Sequence, residues 1–193
     1  MKKHKIISEN LPKGRLIEIY GNNDTGKTFT VLSLISELRN CTCLYVDTDH
    51  DLTAQKLTKY GLQERVTVLQ PDTAEQAADI TEQFLSHGIF DIMVVDSTAN
   101  LVPEAFKNMP VDQISWKQRS KAISTFVKQL VIMAEQKNIT VIFVSQNRSD
   151  LDGNLYTTGG KALRFFSSAR FCVTEDDITV VKNKTTETLL SLR

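Results

Sequence analysis

The residues Gly21-Asn22-Asn23-Asp24-Thr25-Gly26-Lys27-Thr28 set two glycines five positions apart and close on an ammonium and a hydroxyl. This pattern, G-x-x-x-x-G-K-T, is built for polyphosphate. Glycines let backbone N–H groups close around a β-phosphate, and a helix opening at that point adds partial positive charge. Lys27 would reach the β- and γ-phosphates, and the Thr28 hydroxyl would complete a magnesium shell. The expected ligand is a nucleoside triphosphate, ATP with Mg2+. The motif carries weight only between a strand and a helix. Arg15-Leu-Ile-Glu-Ile-Tyr20 reads as that strand and Lys27 to about Leu38 as that helix.

A magnesium site next to such a loop wants a carboxylate at the tip of a neighbouring apolar strand. Asp96 closes Ile92-Met-Val-Val95 in that way, its plainer role being to cap the following turn. Two further groups stand at strand ends, where parallel α/β sheets gather their ligands. In Asp47-Thr48-Asp49-His50, Asp49 is the candidate to orient and deprotonate an attacking water, or else a helix cap ahead of Asp51-Leu52. His50 reads as an outer or solvent-facing residue. In Phe143-Val-Ser-Gln146-Asn-Arg148, the Gln146 amide is placed to bond a γ-phosphate and swing when it leaves, or else to hold a strand-end turn.

The elements that must position these groups alternate. Strands are expected at 15–20, 43–47, 66–69, 90–96 and 139–144, with helices over 27–38, 51–60, 72–86 and 117–136 between them. Asp72-Thr-Ala-Glu75 has capping-box spacing, Asp72 accepting from the helix start and Glu75 reaching back. The run 90–96 is apolar enough to be buried on both faces. From Ala169 on, short strands joined by turns are expected, with Glu175-Asp176-Asp177 at one turn. Strand–helix alternation implies a mostly parallel sheet with helices on both faces, finished by a small C-terminal antiparallel extension. At 193 residues, one domain over 1–193 is expected.

Composition narrows the class. Twenty-three basic and 23 acidic residues balance, so any nucleic-acid surface must be local. The basic start Met1-Lys2-Lys3-His4-Lys5 leads into only Ile6 and Ile7, too short for a secretory signal. No run approaches the roughly 20 apolar residues of a membrane span. Three cysteines suit a reducing compartment, and Cys41 with Cys43 read as strand residues, since two further metal ligands are missing. A cytoplasmic location without membrane contact is expected.

Taken together, the residues resemble the ATPase core of the RecA recombinases, a P-loop NTPase fold. The resemblance runs in order through Leu11 to Gly21, Tyr45-Val-Asp-Thr-Asp-His50, Gln70 to Gln76, Val94-Val-Asp-Ser97, Thr157 to Phe165 and Val181-Lys-Asn-Lys184. It implies that Lys27, Thr28 and Asp96 bind ATP and magnesium, and that Gln146 couples the γ-phosphate to the loop after it. The stretch Asn147 to Gly160 corresponds to a DNA-binding loop, and about Glu104 to Lys117 to another. Arg148, Tyr156, Lys161 and Arg164 are the candidates for single-stranded DNA, with Arg170 on the same basic strip. Lys182 and Lys184 match a pair that reaches the ATP of an adjacent subunit, and Phe165 an aromatic that packs on a neighbour or in the core. Trp116, Phe106 and Met109 form either a DNA-facing or partner-facing patch or a fold-back onto the core.

The sequence also departs from the family pattern. The family's N-terminal polymerisation segment and C-terminal domain are expected to be missing from it. Asp49 stands where the family has a glutamate, one methylene longer, which predicts slow hydrolysis. Adenine-contacting positions fall at Thr53 and Lys56 without an aromatic. Asp150 and Asp152 beside Arg148 oppose phosphate binding. The expected function is ATP-switched single-stranded DNA binding in recombination or repair, with DNA-dependent ATP hydrolysis and self-association. The alternative is an accessory RecA-like ATPase without strand exchange that modulates a recombinase-like partner.

Overall fold

A computed structural model describes residues 5–8, 10–109, 113, 116–149, 153 and 155–183, with the side chains of 5, 6 and 116–118 left aside. The strands are β1 (Leu16–Gly21), β2 (Cys43–Asp47), β3 (Val66–Leu69), β4 (Ile92–Asp96), β5 (Thr140–Ser149), β6 (Leu155–Thr157), β7 (Ala169–Val173) and β8 (Ile178–Asn183). The helices are α1 (Lys5–Ser8), α2 (Lys27–Glu37), α3 (Ala54–Tyr60), α4 (Ala74–Ser86), α5 (Trp116–Lys137) and α6 (Gly160–Phe166). Among the described residues the sheet order is β3-β2-β4-β5-β1-β7-β8, with β6 paired to the outer half of β5.

Period-2 alternation builds two cores, one on each face of the sheet. Ile17, Ile19, Tyr45, Val94, Ile142 and Phe171 point to one side, where Val31, Leu34 and Ile35 of α2 meet them. Their neighbours Leu16, Leu44, Val46, Met93, Val95 and Phe143 point to the other, against Phe126, Val127 and Leu130 of α5 and Leu163 of α6. A strand covered on both faces has no polar side to offer, and every residue of β2 and β4 is buried. The sheet is mostly parallel, as the alternation predicts: β1 pairs parallel with β5 and β7, and β2 with β3 and β4.

Several boundaries differ from expectation for local reasons. α3 starts at Ala54 rather than Asp51, because Thr53 accepts from the Lys56 N–H at 3.3 Å and Asp47 takes the Leu52 N–H at 2.8 Å. The capping box ahead of α4 is shifted by one residue. Thr73 accepts from the Gln76 N–H at 3.2 Å, and Gln76 Oε1 reaches back to the Asp72 N–H at 2.7 Å. Glu75 instead accepts from the Glu104 N–H at 2.8 Å. β5 does not stop at Val144 but runs to Ser149 and turns into a hairpin with β6. α6 fills residues that pattern reading left unassigned. In the C-terminal extension, β7 joins the central sheet parallel to β1, and among the described residues there only β8 is antiparallel. No helix among the described residues is long and apolar enough to cross a membrane.

Candidate functional site

The carboxyl ends of β1, β2, β4 and β5 meet in register, Gly21 opposite Gln146 and Asp96 opposite both Asp47 and Val144. Those pairings bring the glycine loop, Asp96, Asp49 and Gln146 to one edge of the sheet. Gly21 is required there by space: a Cβ would lie 2.2 Å from the Val173 carbonyl oxygen. Asp24 at φ 60° and Gly26 at φ 81° turn the loop through left-handed backbone, and Gly26 opens α2 without any side-chain cap. The first turn of α2 thus takes no side-chain cap from Gly26, at the positive end of the helix.

Lys27 is nearly buried, at 9% exposure, and its Nζ donates to the Asn22 carbonyl at 2.5 Å. Burial lowers its pKa, while the carboxylates of Asp96, Asp24 and Asp49 act to raise it. An ammonium aimed into its own loop and only weakly solvated is suited to a strong anion. Across from it, Asp96 Oδ2 accepts from Thr28 Oγ1 at 2.7 Å and from Tyr45 OH at 2.6 Å. Burial pushes the Asp96 carboxyl up to about 6; the two hydroxyl donors pull it down, and the Asp49 and Asp47 charges add to the rise. A hydroxyl and a carboxylate in contact make an all-oxygen donor set, which fits a hard, strongly hydrated cation such as Mg2+.

Asp49 is exposed, and its Oδ1 accepts from Ser97 Oγ at 3.0 Å and Asn100 Nδ2 at 2.9 Å. It is thus held beside the strand carrying Asp96 and does not cap α3, a task taken by Thr53. The peptide between Asp96 and Ser97 is cis. The Gln146 side-chain oxygen accepts from Arg148 at 2.9 Å, and the Gln146 backbone N–H donates to Thr158 Oγ1 at 3.0 Å.

The remaining candidates fall in three places. Arg148 and Tyr156 stand opposite one another in the β5–β6 hairpin, both exposed. Lys161 and Arg164 are exposed on α6, three residues apart. Arg170 does not join them. The residue is 7% exposed, and its guanidinium pairs with the buried Glu18 at 2.5 Å and lies over the Tyr20 ring. Lys182 Nζ donates to the carbonyls of Arg164 and Phe165, where the negative end of α6 attracts a cation. Phe165 is 70% exposed and packs edge-on against Phe166. Lys184, Asp150, Asp152 and the Trp116 side chain lie outside the described residues.

Three contributors were missed in the sequence. Tyr45 is the one that a rule could have found, since a buried tyrosine needs a partner for its hydroxyl. Asn147 donates to Asn22 Oδ1 at 2.9 Å, a contact between residues 125 apart that no local pattern reveals. Arg119 of α5 donates to the Ala99 carbonyl; its pKa is lowered by burial first and by the nearby Arg148 second, so two guanidinium groups share that surface.

Comparison with known proteins then decides the family. The model of the RecA N-terminal domain matches residues 6–190. The chain belongs to the RecA family. It is 35% identical over 195 residues to Protein RecA of Bordetella pertussis (strain Tohama I), covering 90% of this chain and 55% of that one. To Protein RecA of Pseudomonas fluorescens (strain SBW25) it is 34% identical over 196 residues, with the same 90% and 55% coverage. The chain spans about half the length of these curated relatives. Family membership agrees with the resemblance read from the sequence and with the α/β sheet described above.

Proposed function

We propose that this chain is a RecA-like ATPase core that binds ATP with Mg2+ and uses it to switch single-stranded DNA binding in recombination or repair. The observation that carries this reading is the contact of Thr28, in the first turn of α2, with Asp96 at the tip of β4, with the Lys27 ammonium facing the same loop. The backbone amides of residues 21–28 would hold the β-phosphate, and Lys27 would leave the Asn22 carbonyl for the β- and γ-phosphates. Thr28 and Asp96 would hold magnesium, which supplies charge neutralisation on the phosphate oxygens. Asp49 would orient and deprotonate the attacking water.

Gln146 would bond the γ-phosphate in place of Arg148, which frees the Arg148 guanidinium for a DNA phosphate. ATP occupancy and hairpin chemistry are coupled through that exchange of partners. Arg148, Tyr156, Lys161 and Arg164 would provide phosphate and stacking contacts. Lys182 and Lys184 would face the ATP of an adjacent copy on self-association.

The test is ATP turnover with and without single-stranded DNA over a salt series. Stimulation by DNA that weakens as salt rises supports the reading. Turnover indifferent to DNA, with no DNA binding, would point instead to an accessory ATPase that acts on a protein partner. A Lys27→Ala chain that kept full ATP affinity would remove the phosphate site itself.

A further inference from the structure

A groove of about 760 Å3 starts at Asp24, Thr25 and Gly26 of the phosphate loop and follows α2 to Ser36 and Tyr60. It lies apart from the Thr28–Asp96 pair, neither of which lines it. A triphosphate with its terminal phosphate at that pair must send its nucleoside elsewhere, and the groove shares the loop. At its mouth stands Phe29, the residue after Thr28, with 58% of its surface exposed. Its ring meets Tyr60 edge to face, centroids 6.0 Å apart at 73°. That contact fixes the orientation of the phenyl group and leaves much of its surface open. An oriented, solvent-facing ring at the rim of a concavity is the arrangement that a flat heterocycle stacks on.

Neither Thr53 nor Lys56 offers a ring. Lys56 Nζ is paired with Asp51 at 2.5 Å, and Thr53 is occupied in capping the helix. We infer that the nucleobase of the bound triphosphate stacks on Phe29, which Tyr60 braces from behind, in the groove along α2. The inference rests on the reading of residues 21–28 as a phosphate loop and replaces Thr53 and Lys56 as the base-contacting positions. Stacking accepts any base but favours the larger face, so purine nucleotides bind better than pyrimidine nucleotides, with ATP and GTP close together.

The experiment is equilibrium titration of the full chain with Mg-ATP, Mg-CTP and Mg-tripolyphosphate, which has no base. Phe29→Ala is expected to weaken ATP by about tenfold, the order of one aromatic–base stack, and to leave tripolyphosphate unchanged. Phe29→Tyr restores ATP affinity. Phe29→Trp adds an emission that ATP quenches and tripolyphosphate does not. Because the ring is exposed, these variants keep the fold. An unchanged ATP affinity in Phe29→Ala overturns the inference, as does an equal loss for ATP and tripolyphosphate. Lys27→Ala separates the two readings: it weakens all three ligands if the phosphate loop is right. A wild-type chain that binds no tripolyphosphate and no ATP sinks both.

Discussion

The side-chain amide of Asn147 donates to Asn22 Oδ1 at 2.9 Å, so the strand that follows Gln146 is tied to the loop that precedes Lys27. The Asn22 carbonyl in turn accepts from Lys27 Nζ at 2.5 Å and from Thr25 Oγ1 at 3.0 Å. One residue therefore carries both the loop's own cation and the hairpin's contact. A ligand that draws Lys27 away changes how Asn22 is held, and the change passes to Asn147. Hydrogen exchange across residues 147–157 is expected to respond to Mg-ATP in the wild type. In Asn147→Ala that response should be lost, while ATP affinity falls by no more than about tenfold, the worth of one exposed hydrogen bond. A response that survives the substitution would show that the two segments communicate by another route.

Asp96 gives a pH dependence with a definite sign. Its folded pKa is raised from 3.8 to about 6, mainly by burial, so the fold binds that proton more tightly than the unfolded chain. Stability from this group is complete below its unfolded value and is lost as pH rises through the folded one. The gap of roughly two units corresponds to about 3 kcal/mol. Asp96→Asn removes the charge yet keeps an oxygen able to accept from both Tyr45 and Thr28. Without nucleotide or metal, the variant should match the wild type near the unfolded value and gain about 3 kcal/mol above the folded one. Urea unfolding between those limits measures it; a gain that ignores pH would refute the assignment. The same variant should lose magnesium-dependent ATP turnover.

Asp49 tests the chemistry separately from binding. Its Oδ1 is held by Ser97 Oγ and Asn100 Nδ2 while the residue remains exposed. Asp49→Asn retains the shape and removes the base. Single-turnover kinetics should show ATP hydrolysis reduced by about a hundredfold or more, the usual share of a general base. Affinity for ATP should be unchanged. Equal losses in both would place Asp49 in the binding of nucleotide instead.

How far the sequence carried the site depended on distance along the chain. The loop of residues 21–28 was legible because its glycines, lysine and threonine are contiguous and their flanks periodic. Asp96 was legible as a candidate because it ends an apolar strand downstream of the glycine loop. The strand core was legible from alternation alone. What escaped rests on long separations: Tyr45 to Asp96, Asn147 to Asn22 and Arg170 to Glu18. Arg170 looked like surface charge because its partner lies 152 residues away, and only the parallel pairing of β1 with β7 sets them side by side. The capping box moved by one residue because Glu75 is taken by the distant Glu104 N–H, while Gln76 reaches back and pairs with Thr73 as the cap.

The Glu18–Arg170 pair is the strongest structural commitment near the site. Glu18 is fully buried and accepts from Arg170 Nε at 2.5 Å on one oxygen and from Thr157 Oγ1 at 2.8 Å on the other. Thr157 ends the short strand that pairs with Asn147, so the buried carboxylate anchors the hairpin to the middle of β1. Removing one partner leaves a charge in the core without compensation. Arg170→Met should cost about 3–5 kcal/mol in urea unfolding, whereas Glu18→Leu with Arg170→Met should recover most of it, since apolar replacement of a buried pair is often neutral. The double variant still lacks an acceptor for Thr157. Its hairpin should therefore exchange amide hydrogens faster than the wild type even where global stability is regained. Recovery of both together would mean that packing, not the carboxylate, holds residues 155–157 in place.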